Sequence, residues 1–237
     1  MEYKDIKIII PTCNQYLGIV RALIYTLNKF WPNHGEIIIL GYDSPNFELD
    51  NKTSFVSMGK QLGPKEWSND LIKFFNQFKD EFFINMIDYT LMTRKADEHQ
   101  IKYLFELIKK DDLIGKIFLH GSLTSFNKYE TLKNDKYDLI LINQNCEYRS
   151  SIQSAIWRTS YFLQMLKPNL SPWEFELQHI KNDGVKIIST KTNHPTMYSH
   201  LYRVGGKFQV NDWYKSVFEP TQLPDEDIKL IKEMLKL

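Results

Sequence analysis

A series of short, continuous apolar runs, separated by segments with helical periodicity, constrains the fold of this chain most. The runs cover residues 6–10, 37–40, 82–87, 117–119, 139–142 and 185–188. Because apolar residues follow one another without alternation, each predicted strand is buried on both faces. Between several runs, apolar residues recur every three or four positions, as at Leu17, Val20 and Leu23, which is typical of amphipathic helices. The first half of the chain therefore predicts the order β-α-β-β-α-β-α-β.

Strands joined through helices pair mostly in parallel, and both faces of such a sheet are covered by helices. The predicted fold class is therefore α/β, a three-layer α/β/α sandwich with a mostly parallel central sheet and a Rossmann-like nucleotide-binding half. Further helices are predicted at residues 151–166, from Trp173 onwards, and at residues 225–237. The polar segments 126–136 and 190–206 are predicted loops, and the second is long enough to form a lid.

Composition narrows the classes of function. The longest apolar runs span about six residues, whereas a membrane-spanning helix needs roughly 20. The net charge is +1, and the 30 Lys and Arg residues are spread along the chain, so a nucleic-acid partner is not favoured. Two cysteines without a Cys-x-x-Cys motif support neither a disulfide framework nor a structural zinc site. With no apolar leader near the first residue, we expect a cytoplasmic protein without transmembrane segments.

Acidic and amide residues follow several of the predicted strands. Asn14 comes shortly after the first run, Asp43 after the second, and Asp88 after the third. In an open α/β sheet, ligands bind beyond the carboxyl ends of the strands. We therefore expect these three side chains to converge on one site.

The first two of these segments resemble the opening of a GT-A glycosyltransferase of the family-two type, a nucleotide-diphospho-sugar transferase. In that family a strand ending in Pro-Thr-x-Asn is followed by a second strand that ends near an Asp. Here the matching residues are Pro11, Thr12, Asn14 and Asp43. The resemblance implies that they hold the base and ribose of a sugar donor.

A third segment keeps part of another motif of the same family, Gly-x-x-x-Ala-Arg-Asn. Gly63 and Asn69 stand at its two ends, and Trp67-Ser68 replaces Ala-Arg. The resemblance implies that Gly63 and Asn69 contribute to donor binding, without the contact that the missing Arg would supply.

Residues 83–90 fall where the family has an apolar strand that ends in Asp-x-Asp. There Mg²⁺ or Mn²⁺ bridges the donor's phosphates and neutralises the charge that develops as the nucleoside diphosphate leaves. This chain supplies Asp88, with Thr90 in the second position. The resemblance implies Asp88 as a donor and metal ligand, His200 as a second metal ligand, and Lys207 as a donor-binding cation, while dependence on Mn²⁺ or Mg²⁺ stays open.

Two segments of the second half, residues 153–158 and 171–176, also resemble GT-A-like proteins. The resemblance implies that Arg158 contacts the donor's phosphates, unless it pairs with a carboxylate. It also implies that an acidic residue in the acceptor loop removes the proton from the acceptor hydroxyl. Glu174 is the first candidate for this base and Glu176 the second. Trp173 offers an aromatic face for an acceptor sugar.

These observations predict one GT-A-like domain over residues 1–237, with a nucleotide-sugar-binding half at 1–125 and an acceptor-binding half at 126–237. The predicted activity is an inverting, hexosyltransferase-type transfer from a nucleotide-diphospho-sugar to a carbohydrate or other hydroxyl-bearing acceptor. One alternative is a nucleotidyltransferase, although residues 11–15 lack a Gly-rich phosphate loop. Another is an inactive protein that binds a sugar nucleotide or a glycan. Asp43 and Asp88 could also simply cap turns, and Glu174 could be an ordinary first-turn helix residue.

Overall fold

The computed structural model describes residues 1–120, 128–133, 135–178, 183–204, 207–210, 223 and 225–235, with the side chains of 199–204 and 207–210 outside the description. The described strands are β1 (Ile8–Pro11), β2 (Ile37–Gly41), β3 (Thr53–Ser57), β4 (Phe82–Asn85), β5 (Thr90–Met92), β6 (Ile114–Phe118), β7 (Tyr129–Thr131), β8 (Leu139–Ile142), β9 (Ala155–Arg158), β10 (Lys186–Thr190), β11 (Tyr198–Val204) and β12 (Lys207–Val210). The described α-helices are α1 (Leu17–Phe30), α2 (Trp67–Phe75), α3 (Glu98–Lys110), α4 (Thr159–Met165), α5 (Pro172–Leu177) and α6 (Asp225–Leu235).

Nine of these strands form one sheet in the order β3-β2-β1-β4-β9-β6-β10-β8-β7, and a second sheet has the order β12-β11-β5. In the large sheet, β9 is antiparallel to both of its neighbours, and β8 is antiparallel to both β10 and β7. The remaining pairs are parallel, so the other seven strands all point the same way. The predicted α/β class with a mostly parallel central sheet is confirmed.

The central strands alternate between two apolar cores, one on each face of the large sheet. Ile8 and Ile10 of β1 pack in one core with helices α1 and α3, for example against Leu23. Ile9 points to the other core, which helices α2, α4 and α5 cover with side chains such as Phe75. Since each face of the sheet is apolar, helices must shield both, and three layers result.

The predicted helix at residues 151–166 is wrong in its first half. Ala155–Arg158 is strand β9, and helix α4 begins only at Thr159. Ile156 packs in the core of α1 and α3, whereas Ala155 and Trp157 pack in the opposite core. Alternate residues of β9 therefore point to opposite faces of the sheet. Since β9 lies between β4 and β6, both of these faces are covered by apolar cores.

Two predicted loops contain strands. The segment 126–136 includes β7 at the sheet edge, and the segment 190–206 includes β11, which pairs with β5 and β12. Polar composition misled the prediction because β7 is an edge strand whose side chains reach solvent. With β11 built into a sheet, the lid prediction for 190–206 is not supported over the length of this strand.

The predicted C-terminal helix is confirmed over its described residues as α6, which docks on α1. Asp227 accepts hydrogen bonds from the Tyr25 hydroxyl (2.5 Å) and from the Lys29 ammonium (2.6 Å to each oxygen). Ala22 and Ile231 pack in a small apolar cluster at the same interface. Among the described helices, none combines the length and apolarity that crossing a bilayer requires.

Candidate active site

The candidate site lies at the carboxyl ends of β2, β1 and β4, which are neighbours in the large sheet. The chain leaves β1 at Pro11 and enters α1 at Leu17, so the intervening residues cross the edge of the sheet. Thr12 continues the strand, because its N–H donates to the Leu40 carbonyl (2.8 Å). The residues that follow β1, β2 and β4 therefore emerge side by side.

Asn14 and Asp43 bind each other through two hydrogen bonds. The Asn14 side-chain amide donates to Asp43 Oδ2 (2.6 Å), and the Asp43 backbone N–H donates to Asn14 Oδ1 (3.0 Å). The Asn14 backbone N–H in turn donates to Gln61 Oε1 (2.9 Å). The two hydrogen bonds fix the orientation of the pair. Because Asn14 and Asp43 are exposed, the pair is accessible to a ligand.

Asp88 forms the second pair of the site, with Thr12. The Thr12 hydroxyl donates to Asp88 Oδ2 (2.8 Å), and Asp88 is only 9% exposed. Burial raises the pKa of Asp88 to about 6, although hydrogen bonds from Thr12 and from backbone N–H groups oppose the shift. Burial likewise raises the pKa of the Cys13 thiol between the two pairs. Because a buried carboxylate is costly without a positive partner, the site favours a cation or a proton at Asp88.

The fit to a divalent cation rests on Asp88. Mg²⁺ is commonly bound by one or two carboxylates together with substrate phosphates, and a single buried carboxylate fits that role. The Thr90 hydroxyl is engaged with the Ile87 carbonyl (2.7 Å). His200 pairs in register with Thr90, but the side chains of His200 and Lys207 lie outside the described residues. Within the described part, no group of three His, Cys, Asp or Glu residues is arranged to hold a metal.

Gly63 and Asn69 shape the neighbouring loop instead of joining the two pairs. Gly63 has φ 135°, a conformation that favours glycine, and a short 3-10 helix follows it. The Asn69 amide donates to Asn169 Oδ1 (2.8 Å) and to Glu66 (2.8 Å), and its oxygen accepts from the Asn169 N–H (3.0 Å). Asn69 therefore holds the turn that leads into α5.

Both carboxylate oxygens of Glu174 are occupied. One accepts from the N–H (2.8 Å) and the hydroxyl (2.7 Å) of Ser171, the N-cap residue of α5, and the other pairs with Lys65. The hydrogen bond from Lys65 and those from Ser171 lower the pKa of Glu174 to about 2. A carboxylate with such a low pKa is a weak base near neutral pH. The neighbouring Trp173 is 65% exposed, which leaves its ring available to an acceptor.

Glu176 is held differently. One of its oxygens accepts from the Ser151 hydroxyl (2.8 Å) and from the Ile152 N–H (2.8 Å). Its second oxygen has no hydrogen-bond partner within the described part of the chain. The Ile152 carbonyl accepts from the Asn85 amide (2.5 Å), and Asn85 ends β4, three residues before Asp88. Glu176 is thus linked to the same edge of the sheet as Asp88.

No family model matches the sequence, and no curated protein matches it. Among solved structures, the UTP-bound UGPase from Acinetobacter baumannii matches with a TM-score of 0.52 at 10% identity, over 96% of this chain and 99% of that chain. This chain has a GT-A-like fold. UDP-glucose pyrophosphorylase complexed with UDP-glucose matches with a TM-score of 0.49 at 11% identity, over 82% and 92% of the two chains. S. aureus TarS 1–349 in complex with UDP-GlcNAc matches with 0.48 at 15% identity, over 99% and 66%, and this chain covers 36% of a longer TarS structure.

The GT-A-like sheet places Arg158 away from the two pairs. Because β9 is reversed, Arg158 lies opposite Phe82, at the start of β4, whereas Asp88 follows the end of that strand. Its guanidinium pairs with Glu81 (2.5 Å) and donates to the Ile108 carbonyl (2.7 Å). The implied phosphate contact of Arg158 is therefore not supported, and the alternative of a carboxylate partner holds.

In this GT-A-like fold, Thr12, Asn14, Asp43 and Asp88 come together as expected. Sequence reasoning missed Gln61, which orients Asn14 from a loop without a recognisable motif. It also missed the contacts that distinguish the two acidic residues of α5. The contacts of Glu174 with Lys65 and of Glu176 with Ser151 come from residues far away in the sequence, so no local signal identifies them. The capping box of Ser171 and Glu174, in contrast, is a local Ser-x-x-Glu pattern that could have been recognised.

Proposed function

We propose that this chain is a glycosyltransferase that moves a sugar from a nucleotide-diphospho-sugar to an acceptor hydroxyl, with inversion. The observation that carries the proposal is the adjacency of the Thr12–Asp88 and Asn14–Asp43 pairs at one edge of a GT-A-like sheet. The exposed carboxylate of Asp43 and the buried carboxylate of Asp88 suit the nucleoside and the diphosphate of such a donor, respectively. The first can accept hydrogen bonds from a nucleoside, and the second favours positive charge near a diphosphate.

In this proposal Asn14, Asp43 and the Pro11-Thr12 turn bind the nucleoside, and Asp88 lies at the diphosphate. Mn²⁺ or Mg²⁺ bound there would neutralise negative charge on the leaving diphosphate. Asp88 contributes a carboxylate ligand, which Thr12 orients through its hydroxyl. The binding of a metal through Asp88 is part of the proposal.

We assign the role of base to Glu176 in preference to Glu174. Glu176 has one anchored oxygen and one without a partner among the described residues, whereas both oxygens of Glu174 are engaged. Glu176 would take the proton of the acceptor hydroxyl as that oxygen bonds to the anomeric carbon and the nucleoside diphosphate leaves. Trp173, exposed on the same helix, would pack against the acceptor.

Donor binding is the first test. We expect UDP-glucose or another UDP-, GDP-, CDP- or dTDP-sugar to raise the melting temperature of the protein, because a ligand of the folded state stabilises it. Asn14→Ala and Asp43→Ala should remove that shift. Asn76→Ala and Asp112→Ala, which change exposed residues elsewhere, should keep it. If none of these sugars changes the melting temperature of the wild type, the donor assignment is wrong.

A nucleotidyltransferase is the second candidate, and the match to the UTP-bound UGPase over nearly the full length of both chains favours it. In that reaction a sugar-phosphate oxygen attacks the α-phosphorus of UTP and pyrophosphate leaves. Incubation with UTP, glucose 1-phosphate and Mg²⁺ distinguishes the two reactions. Release of pyrophosphate would replace our proposal with this one, whereas release of UDP from UDP-glucose supports glycosyl transfer. Donor binding without either product would indicate an inactive sugar-nucleotide-binding protein.

A further inference from the structure

A lysine lies inside the apolar core and has no part in the proposed mechanism. Lys116, in β6, is fully buried, and its amino group lies 3.6 Å from the ring centroid of Phe118 and 4.3 Å from that of Trp157. Burial lowers the pKa of Lys116 well below its ordinary value, and the negative charge of Glu176 opposes that shift. A polar group in such surroundings is costly unless it is hydrogen-bonded.

The partners of this amino group belong to one short segment, residues 149–152. Lys116 Nζ donates to the carbonyls of Arg149 (3.4 Å) and Ser151. The other side of the segment holds Glu176, through the Ser151 hydroxyl and the Ile152 N–H, each 2.8 Å from the same carboxylate oxygen. The segment therefore lies between the buried amino group and the carboxylate.

Other contacts hold Arg149 and Ser150, but the Ser151 carbonyl is left to Lys116. The Arg149 guanidinium pairs with Asp183 (2.9 Å). The Ser150 hydroxyl donates to the backbone carbonyl of Glu176 (3.0 Å), which attaches the segment to α5. Among the hydrogen bonds of the described residues, only Lys116 binds the Ser151 carbonyl, which belongs to the same peptide group as the Ile152 N–H that donates to Glu176.

We propose that Lys116 is a positioning residue for Glu176. By binding the carbonyls of Arg149 and Ser151 from inside the core, it keeps residues 149–152 in the conformation that aims the Ser151 hydroxyl and the Ile152 N–H at Glu176. The carboxylate is thereby held at the edge of the sheet where Asp88 lies. The link to catalysis rests on the proposed function, whereas the positioning itself does not.

Lys116→Met tests the positioning directly, since methionine has a similar length and no N–H donor. Amide hydrogen exchange measured by NMR should show at least 10-fold faster exchange of the Ile152 amide in this variant. Lys186→Met is the matched control, because Lys186 lies in the neighbouring strand β10 and pairs with Asp111 (2.7 Å) at the opposite edge. It should leave the Ile152 amide unchanged. An unchanged Ile152 amide in Lys116→Met would overturn the proposal, whatever the activity of the protein.

Activity provides the second measurement. We expect kcat for sugar transfer to fall at least 10-fold in Lys116→Met, while the Kd for the donor stays within 2-fold, because the nucleotide-binding residues are untouched. Lys186→Met should keep kcat. A retained kcat in Lys116→Met overturns the link to catalysis. If the wild type transfers no sugar, the proposed function fails, and the exchange measurement still decides the positioning.

Ser151→Ala covers the case in which Lys116→Met does not fold. This variant removes one of the two donors to Glu176 without disturbing the core. It should accelerate exchange of the Ile152 amide and lower kcat in the same direction. If it changes neither, residues 149–152 do not position Glu176 and the proposal is wrong.

Discussion

Asp88 combines a stability cost with a proposed function. Its carboxylate is buried and accepts a hydrogen bond from the Thr12 hydroxyl. It forms no ion pair within the described part of the chain. Its pKa is raised by burial, so the folded state binds a proton more tightly than the unfolded state does. The contribution of Asp88 to stability is therefore most favourable below pH 3.8 and is lost as the pH rises through about 6.

We predict that Asp88→Asn stabilises the protein at about pH 8 and abolishes the donor-induced thermal shift. The raised pKa of about 6, against an ordinary value of 3.8, corresponds to about 3 kcal/mol of unfolding free energy at this pH. The gain should vanish below about pH 4, where both states are protonated. Urea unfolding at several pH values measures this gain, with Asp112→Asn, at an exposed position away from the site, as the control. If Asp88→Asn were less stable than the wild type at pH 8, Asp88 would not be a buried carboxylate that costs stability in its charged form.

The two acidic residues of α5 give a second prediction. Glu176→Gln should lower kcat by about 10²–10⁴-fold, the usual contribution of a general base. Glu174→Gln should change kcat only slightly, because its ion pair with Lys65 and its cap on Ser171 already engage the carboxylate. Steady-state kinetics with saturating donor measures both. A larger loss in Glu174→Gln than in Glu176→Gln would restore the order that the sequence favours.

At the residue scale, the sequence predicted those site residues whose location depends only on the strand that they follow. Asn14, Asp43 and Asp88 follow parallel strands that are neighbours, so chain order was enough to bring them together. Glu174 and Glu176 stand two residues apart in one helix. The capping box that engages Glu174 with Ser171 is a local pattern, whereas the contacts from Lys65 to Glu174 and from Ser151 to Glu176 are not. Those contacts span 109 and 25 residues of sequence, beyond the reach of any local pattern.

At the scale of elements, periodic segments were predictable and edge or reversed strands were not. The long amphipathic patterns of α1, α3 and α6 identified these helices, because one face of each is apolar. Strand β9 has only four residues, and helix α4 follows it directly, so its period of two was hidden. Because β9 runs antiparallel to β4, Arg158 lies at the edge of the sheet opposite the site.

The docking of α6 on α1 depends on one carboxylate. Asp227 is 2% exposed; although burial alone raises its pKa, the hydrogen bonds from Lys29 and Tyr25 hold that pKa below its ordinary value. The stabilisation is therefore present above about pH 4 and lost as the pH falls below it. We predict that Asp227→Asn lowers the unfolding free energy by about 1.5–3 kcal/mol near pH 7, the range for hydrogen bonds to charged groups.

Urea unfolding of Asp227→Asn near pH 7 and near pH 3 measures this loss, which should shrink at the lower pH. Asp225→Asn serves as the matched control, because Asp225 is an exposed residue in the first turn of the same helix. An equal loss in both variants would show that helix electrostatics, and not the contact with Lys29 and Tyr25, accounts for the effect.

At the scale of the whole molecule, the two predicted halves share one sheet. Strands β4 and β6 belong to residues 1–125, yet β9, which comes from the second half, lies between them. We predict that a fragment of residues 1–125 does not unfold cooperatively, because the facing edges of β4 and β6 have no partner without β9. Urea titration followed by circular dichroism measures this, with the 237-residue chain as the reference. A cooperative transition in the fragment would make the first half an independent unit.

The insertion of β9 also has a consequence for synthesis. As the chain leaves the ribosome, β4 and β6 emerge before β9. The strand that pairs with both of them is synthesised about 40 residues later. During that interval two apolar strand edges are open to pairing with other chains. Slow translation of this stretch would therefore favour aggregation, and overexpression should benefit from chaperones that shield nascent strands.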